Sequence, residues 1–141
     1  MRTRDRIRSR TGRISMGAED GSAVETAIVF PAIFIAIMMI IQGGLAFHAQ
    51  HVALAAAQEG DRAARLFQAT DADGLARANQ ALQALNAGGI LTSPQVSVSR
   101  SGGNVTVTVR GGVVSLLPGV NLTIRPQVSE GPVEVFTGPG Q

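Results

Sequence analysis

From Thr26 to Phe47 the chain runs TAIVFPAIFIAIMMIIQGGLAF without one Asp, Glu, Lys or Arg, and no formal charge separates Glu25 from Glu59. As a helix these residues rise about 33 Å, enough for a hydrocarbon core of roughly 30 Å. Helices in water-soluble cores rarely stay apolar on every face for that long. The pattern predicts a membrane-spanning helix over about 26–47.

Beyond His48 the sequence HAQHVALAAAQEGDRAARLFQ keeps helical character. Glu59 with Arg62 and Asp61 with Arg65 stand at i,i+3 and i,i+4, acid before base as helices prefer. One helix from about Ala23 to Phe67 is expected, with at most a softening at Gly60. ATDADG (69–74) predicts a turn in which Asp71 or Asp73 caps a short helix. Leu75, Ala78, Leu82 and Leu85 mark its apolar stripe, and Gly88-Gly89 ends it.

After Pro94 the period changes to two. Val96 and Val98, then Val105, Val107 and Val109, alternate with polar residues across SGGN (101–104), a hairpin signal. Gly111-Gly112 leads into VVSLLPG, and Leu122 with Ile124 predicts a third strand closed by Pro126. The terminal TGPGQ is expected to fray. The fold class is therefore α+β: a long N-terminal transmembrane helix continuing into an extracytoplasmic helix, then a short helix and a small antiparallel β-sheet. Three regions follow: a leader (1–21), a long helix (22–68) and a small extracytoplasmic domain (69–141).

Charge sets the orientation. All twelve basic residues are Arg and the net charge is +2, but six Arg fall within the first thirteen of the 141 residues. A basic tail beside a membrane span keeps its end in the cytoplasm by the positive-inside rule. The expected location is the cytoplasmic membrane, crossed once, with the C-terminal domain outside. A nucleic-acid binder would carry its basic excess on a folded surface, so no nucleic-acid partner is expected. A cleaved secretory signal is the competing reading, since Ala53-Leu54-Ala55 resembles a processing site. The apolar run exceeds the usual 7–15 residues, and that site lies beyond its end.

Candidate chemistry is sparse. The absence of cysteine excludes disulfides, thiol catalysis and thiolate metal sites. His48 and His51 stand at i,i+3, but no third metal ligand has recognisable spacing. Glu59 and Asp61 lie two apart on a helix and point to different faces, which favours salt bridges over acid–base work. No phosphate loop or nucleophile elbow occurs. No catalytic residue, metal or cofactor is expected, and no enzyme.

Three features of the span invite structural roles. Pro31 cannot donate to the Ala27 carbonyl and predicts a kink. Gly43 and Gly44 offer a place for another helix to approach closely. Glu25 sits where the chain enters the membrane, either at ease near a helix N-terminus or paired with a cation from a neighbouring subunit.

The order of an Arg-rich leader, GSAVETAIVFP (21–31), an apolar helix and HVALAAAQEGDRAAR (51–65) resembles the TadE-like pilus-assembly proteins, pseudopilin relatives of tight-adherence (Flp) pilus systems. The resemblance covers roughly residues 18–68. It implies a pilin-like subunit that acts by helix packing, with other pilin-like subunits, the tad assembly machinery, a prepilin peptidase and the lipid bilayer as partners. It also implies a cut between Gly21 and Ser22, with Glu25 as the motif carboxylate. Glu25 is the fourth residue after Gly21, one position nearer than the family's usual spacing. The alternative is a membrane-anchored or secreted surface-binding module.

Overall fold

A computed structural model describes residues 19–135 of the chain, with side chains from residue 24 onward. Most of the Arg-rich leader, and TGPGQ with its expected fraying, lie outside the described residues. The chain divides into two compact units between Ala36 and Ile37. Helix α1 (Glu19–Arg65) contributes to both, and it stays helical through Pro31 and Gly60. The remaining elements all belong to the second unit: α2 (Asp71–Leu85), β1 (Leu91–Ser101), β2 (Asn104–Val113), β3 (Leu122–Thr123) and β4 (Gln127–Pro132). The architecture is α+β, as the periodicities predicted.

Burial along α1 changes character at one residue. From Val24 to Ile41 the side chains are exposed on every face, apart from a half-buried Met38. From Gln42 onward a stripe faces inward: Gln42, Ala49, Val52, Ala53, Ala56, Ala57, Gly60, Asp61 and Ala64. Its steps of three and four are those of one helical face. Almost all its members are small, so the elements packed on it approach closely.

The closest approach is a crossing of α1 and α2. Gly60 and Ala64 on α1, one turn apart, meet Gly74 and Ala78 on α2, also one turn apart. A Cβ added at Gly60 would lie 2.8 Å from Ala78 Cβ and 2.9 Å from the Gly74 carbonyl oxygen; one added at Gly74 would lie 2.6 Å from Ala64 Cβ. Gly60 is therefore a contact point and leaves the helix intact. The same contact shifts the stripe of α2: Gly74, Ala78, Ala81 and Leu82 are buried, while Leu75 and Leu85 stay exposed at its flanks.

Thr70 caps α2, one position before Asp71 and three before Asp73, the carboxylates that the sequence suggested. Its hydroxyl accepts from the Asp73 N–H, and Asp73 returns a carboxylate to the Thr70 N–H at 2.7 Å, a complete capping box. The backbone N–H and then the hydroxyl of Thr70 hold the Asp73 carboxyl below its ordinary value.

Strand β2 is the axis of the sheet. β1 pairs along one of its edges, while β4 and β3 share the other, beside its first and last residues respectively. Gly102 and Gly103, both at positive φ, make the two-residue turn between β1 and β2. Val105, Val107 and Val109 are fully buried beneath the helices, with Val96 and Val98 beside them; Thr106 and Thr108 face the other way. Both neighbours of β2 slip by one residue. In β1 the slip falls at Ser93-Pro94, between Leu91 and Val96; opposite β2 it falls at Arg125-Pro126, between β3 and β4. The third strand predicted from Leu122 and Ile124 is thus a short piece of an interrupted edge whose longer part, β4, the alternation did not indicate.

Two expected outcomes test this packing. Gly60→Val drives a branched side chain into the Gly74 backbone and lowers stability by roughly 1–3 kcal/mol. Gly43→Ala, where an added Cβ meets nothing within 4 Å, leaves it unchanged; denaturant unfolding in detergent micelles compares them. Because the folded-state pKa of Asp73 is depressed, its contribution is present above the unfolded carboxylate value and is lost as pH falls through the folded one. Asp73→Asn is therefore less thermostable than the parent at neutral pH, and the difference closes on acidification.

Candidate functional site

Glu25 lies on the exposed, N-terminal part of α1. It shares a shallow surface groove with Thr26, Val29, Phe30 and Ile33, residues that helical spacing places on one face. Among the described residues no cation lies within ion-pair distance of it. Gly21 and Ser22 fall in the first turn of α1, where the backbone alone is described. Gly43 and Gly44 are open: beyond the local helix backbone, no atom of the described residues lies within 4 Å of the place of a Cβ.

The polar contact that sequence reasoning passed over is Gln42. It is the one amide side chain within the Thr26–Phe47 run and is only 5% exposed. Its Nε2 donates to the Val114 carbonyl at 3.0 Å, and its Oε1 accepts from the Leu116 N–H at 2.8 Å. The primary amide thus bonds a carbonyl and the N–H two residues further on, and fixes the segment after β2 against α1. Leu45 and Ala46 pack against the core one turn further on. A lone amide deep in a largely apolar run was the available signal, because an amide in such surroundings needs partners.

Beyond Gln42 a ladder of polar contacts fastens α1 to the sheet. Asp61 is 3% exposed; its Oδ2 accepts from Ser129 Oγ at 3.0 Å, and its Oδ1 lies 3.4 Å from Arg65 Nε. The Arg65 guanidinium lies over Gly131, where a Cβ would come within 2.6 Å of Nη1, and the Arg65 carbonyl accepts from the Glu134 N–H. Arg100, on the inner face of β1, donates to the Ala64 and Ala69 carbonyls and to Asp71. It therefore satisfies acceptors at the C-terminus of α1, where a cation also complements the helix dipole.

Glu59 points elsewhere, pairing with Arg62 at 3.2 Å and with Arg77 of α2 at 2.9 Å. Both intrahelical ion pairs expected from the spacing are present, and Glu59 and Asp61 face different neighbours. The His51 ring meets Phe47 edge-on, with centroids 4.3 Å apart. Among the described residues no three His, Asp or Glu side chains converge as a metal site would require. These polar groups are committed to holding elements together, and the arrangement is that of an anchored packing surface.

Helix α1 is long and apolar enough to cross a membrane, and its most apolar stretch is exposed among the described residues. Residues 21–62, from its first turn to the Gly60 crossing, match the family model described as TadE-like protein. Over those residues the chain is TadE-like. The TadE-like segment thus contains Glu25, the whole apolar run and Gln42, and it ends before α2 and the sheet begin. The match over this segment suggests a role in tad pilus assembly, and the helix suggests a single-pass membrane anchor. No curated protein and no solved structure matches the chain.

The Gln42 contact has a direct test. Gln42→Leu keeps the helix apolar but deprives the Leu116 N–H and the Val114 carbonyl of their partner, at a cost of about 1–3 kcal/mol. Amide exchange at Leu116 should accelerate at least several-fold while membrane insertion is retained. Unchanged exchange would show that the amide does not hold the segment.

Proposed function

We propose that this chain is a minor pilin-like subunit of a tight-adherence pilus, working by helix packing and catalysing nothing. The observation that supports the reading most is the TadE-like match over a helix whose apolar part is exposed among the described residues. A helix of that kind is stable in lipid, and equally in a bundle of similar helices, because both surroundings are apolar. Extraction from the membrane into a filament then exchanges one apolar environment for another.

In this reading a prepilin peptidase cuts between Gly21 and Ser22, removes the Arg-rich leader and creates an amine on Ser22. The Glu25 carboxylate, exposed and without an ion-pair partner among the described residues, neutralises the corresponding amine of an adjacent subunit. Pairing relieves the cost of holding either charge near lipid. Gly43 and Gly44, left open by this chain, admit the neighbouring helix. The α+β domain lies outside the cytoplasmic membrane and contacts other subunits and the assembly machinery.

Glu25→Ala tests the role. The variant should insert into the membrane at parental levels yet leave cells with few or no pili by electron microscopy of sheared fractions. Full piliation would contradict the docking function. N-terminal sequencing of the membrane-bound protein separates the steps, since Ser22 as first residue supports processing and an intact leader refutes it.

A further inference from the structure

The segment from Val114 to Val120, between β2 and β3, has several of its polar groups bonded, while Val114, Leu116 and Val120 are exposed. Gln42 holds the Val114 carbonyl and the Leu116 N–H; Ser115 Oγ donates to the Leu117 carbonyl; the Val120 N–H closes a turn onto Leu117. Gly119, at φ +79°, makes that turn possible. Val114, Leu116 and Val120 are nonetheless 38%, 42% and 39% exposed. No ionisable residue occurs from Gly111 to Ile124. The run is bounded by Arg110 and Arg125, both exposed and neither ion-paired among the described residues.

The depth of this segment is set by its partner. Gln42 is bonded directly to it and stands at the end of the uncovered apolar stretch of α1. The eighteen residues 24–41 rise about 27 Å, close to the roughly 30 Å of a hydrocarbon core. If those residues fill the core, Gln42 lies at its edge and the segment beside Gln42 lies there too. An uncharged, largely apolar turn suits the interfacial side of that depth, where its remaining backbone groups meet water and headgroups, and flanking Arg side chains reach the phosphate layer from it.

We propose that Val114–Val120 is a second membrane contact, seated at the boundary between acyl chains and headgroups beside α1, with Arg110 and Arg125 directed to lipid phosphates. A single helix leaves a domain free to turn about its axis. A second lipid contact, tied to α1 through Gln42, fixes which face of the domain meets the membrane and which stays open to partners. The proposal requires α1 to span a bilayer and is independent of any part in a pilus.

The absence of native cysteine makes the test direct. Single cysteines are introduced in the full chain at Leu116 and at Val120, at Ile33 as a reference within the span, and at Ser99 as a reference on the exposed sheet. Each variant is labelled with an environment-sensitive fluorophore and reconstituted in vesicles of phosphatidylcholine and phosphatidylglycerol. Nitroxide lipids labelled near the headgroup should remove most of the emission at positions 116 and 120, and aqueous iodide should remove little. Ser99 should show the reverse, and Ile33 should respond to nitroxides placed deeper.

Emission at 116 and 120 that behaves like that at Ser99 would overturn the proposal, and the Ile33 label separates that failure from failure of the span itself. Protection from both quenchers that disappears on dilution into excess lipid would assign the segment to contact with a second copy, and would equally overturn it.

Discussion

An amide in an apolar helix must find hydrogen-bond partners, and Gln42 finds both of its own on the backbone of one short segment. Much of the molecule's organisation follows from where that exchange occurs. Before Gln42, the described side chains of α1 are exposed apart from a half-buried Met38; after it, one stripe is buried as far as Ala64. The same helix therefore serves two surroundings, and its composition changes accordingly. Ile, Phe and Met dominate the uncovered part, where bulk favours lipid or another apolar helix. Ala and Gly dominate the covered part, where bulk would hold α2 and the sheet away.

Small residues alone would leave the second unit with a thin core, because its largest fully buried side chains are Leu91, Val105, Val107 and Val109. Polar fasteners supplement that core at the far end of α1. Asp61 takes a hydroxyl from β4, Arg65 covers Gly131, and Arg100 reaches from β1 across the helix terminus. Each spans elements distant in sequence, so removing one partner strands a polar group beside the core at more than the value of the bond itself. The Gly60–Gly74 crossing makes this arrangement possible by bringing the helix backbones together.

The long helix, the short helix and the β1–β2 hairpin were legible because each carries its own period: unbroken apolarity, a repeat of three and four, and alternation around two glycines. β4 was not, for a reason visible in the register. The inward positions change parity across Arg125-Pro126, from Leu122 and Ile124 to Gln127, Ser129 and Gly131, so no single alternation runs through the edge. The inward residues of β4 are moreover polar or lack a side chain, Ser129 facing Asp61 and Gly131 facing Arg65. Leu75 and Leu85 of α2 misled in a similar way, although Leu82 is buried, since large residues signal a buried face except where helices touch through glycine. In the candidate site, the spacing of Glu59, Asp61, Arg62 and Arg65 disclosed their intrahelical pairs. Ser129, Gly131 and the backbone of 114–116 could not be foreseen, because they meet α1 only once the sheet has folded back.

The most direct test of this account is a nitroxide scan of α1 in lipid bilayers, one position at a time from Val24 to Ala64, reading accessibility to oxygen and to a water-soluble nickel complex. The account predicts high oxygen and low nickel access on every face through Ile41, then a repeat of three to four residues with protected positions on the Gln42–Ala64 stripe. A three-to-four repeat already present between Ile28 and Ile41, or nickel access around the whole helix there, would contradict it.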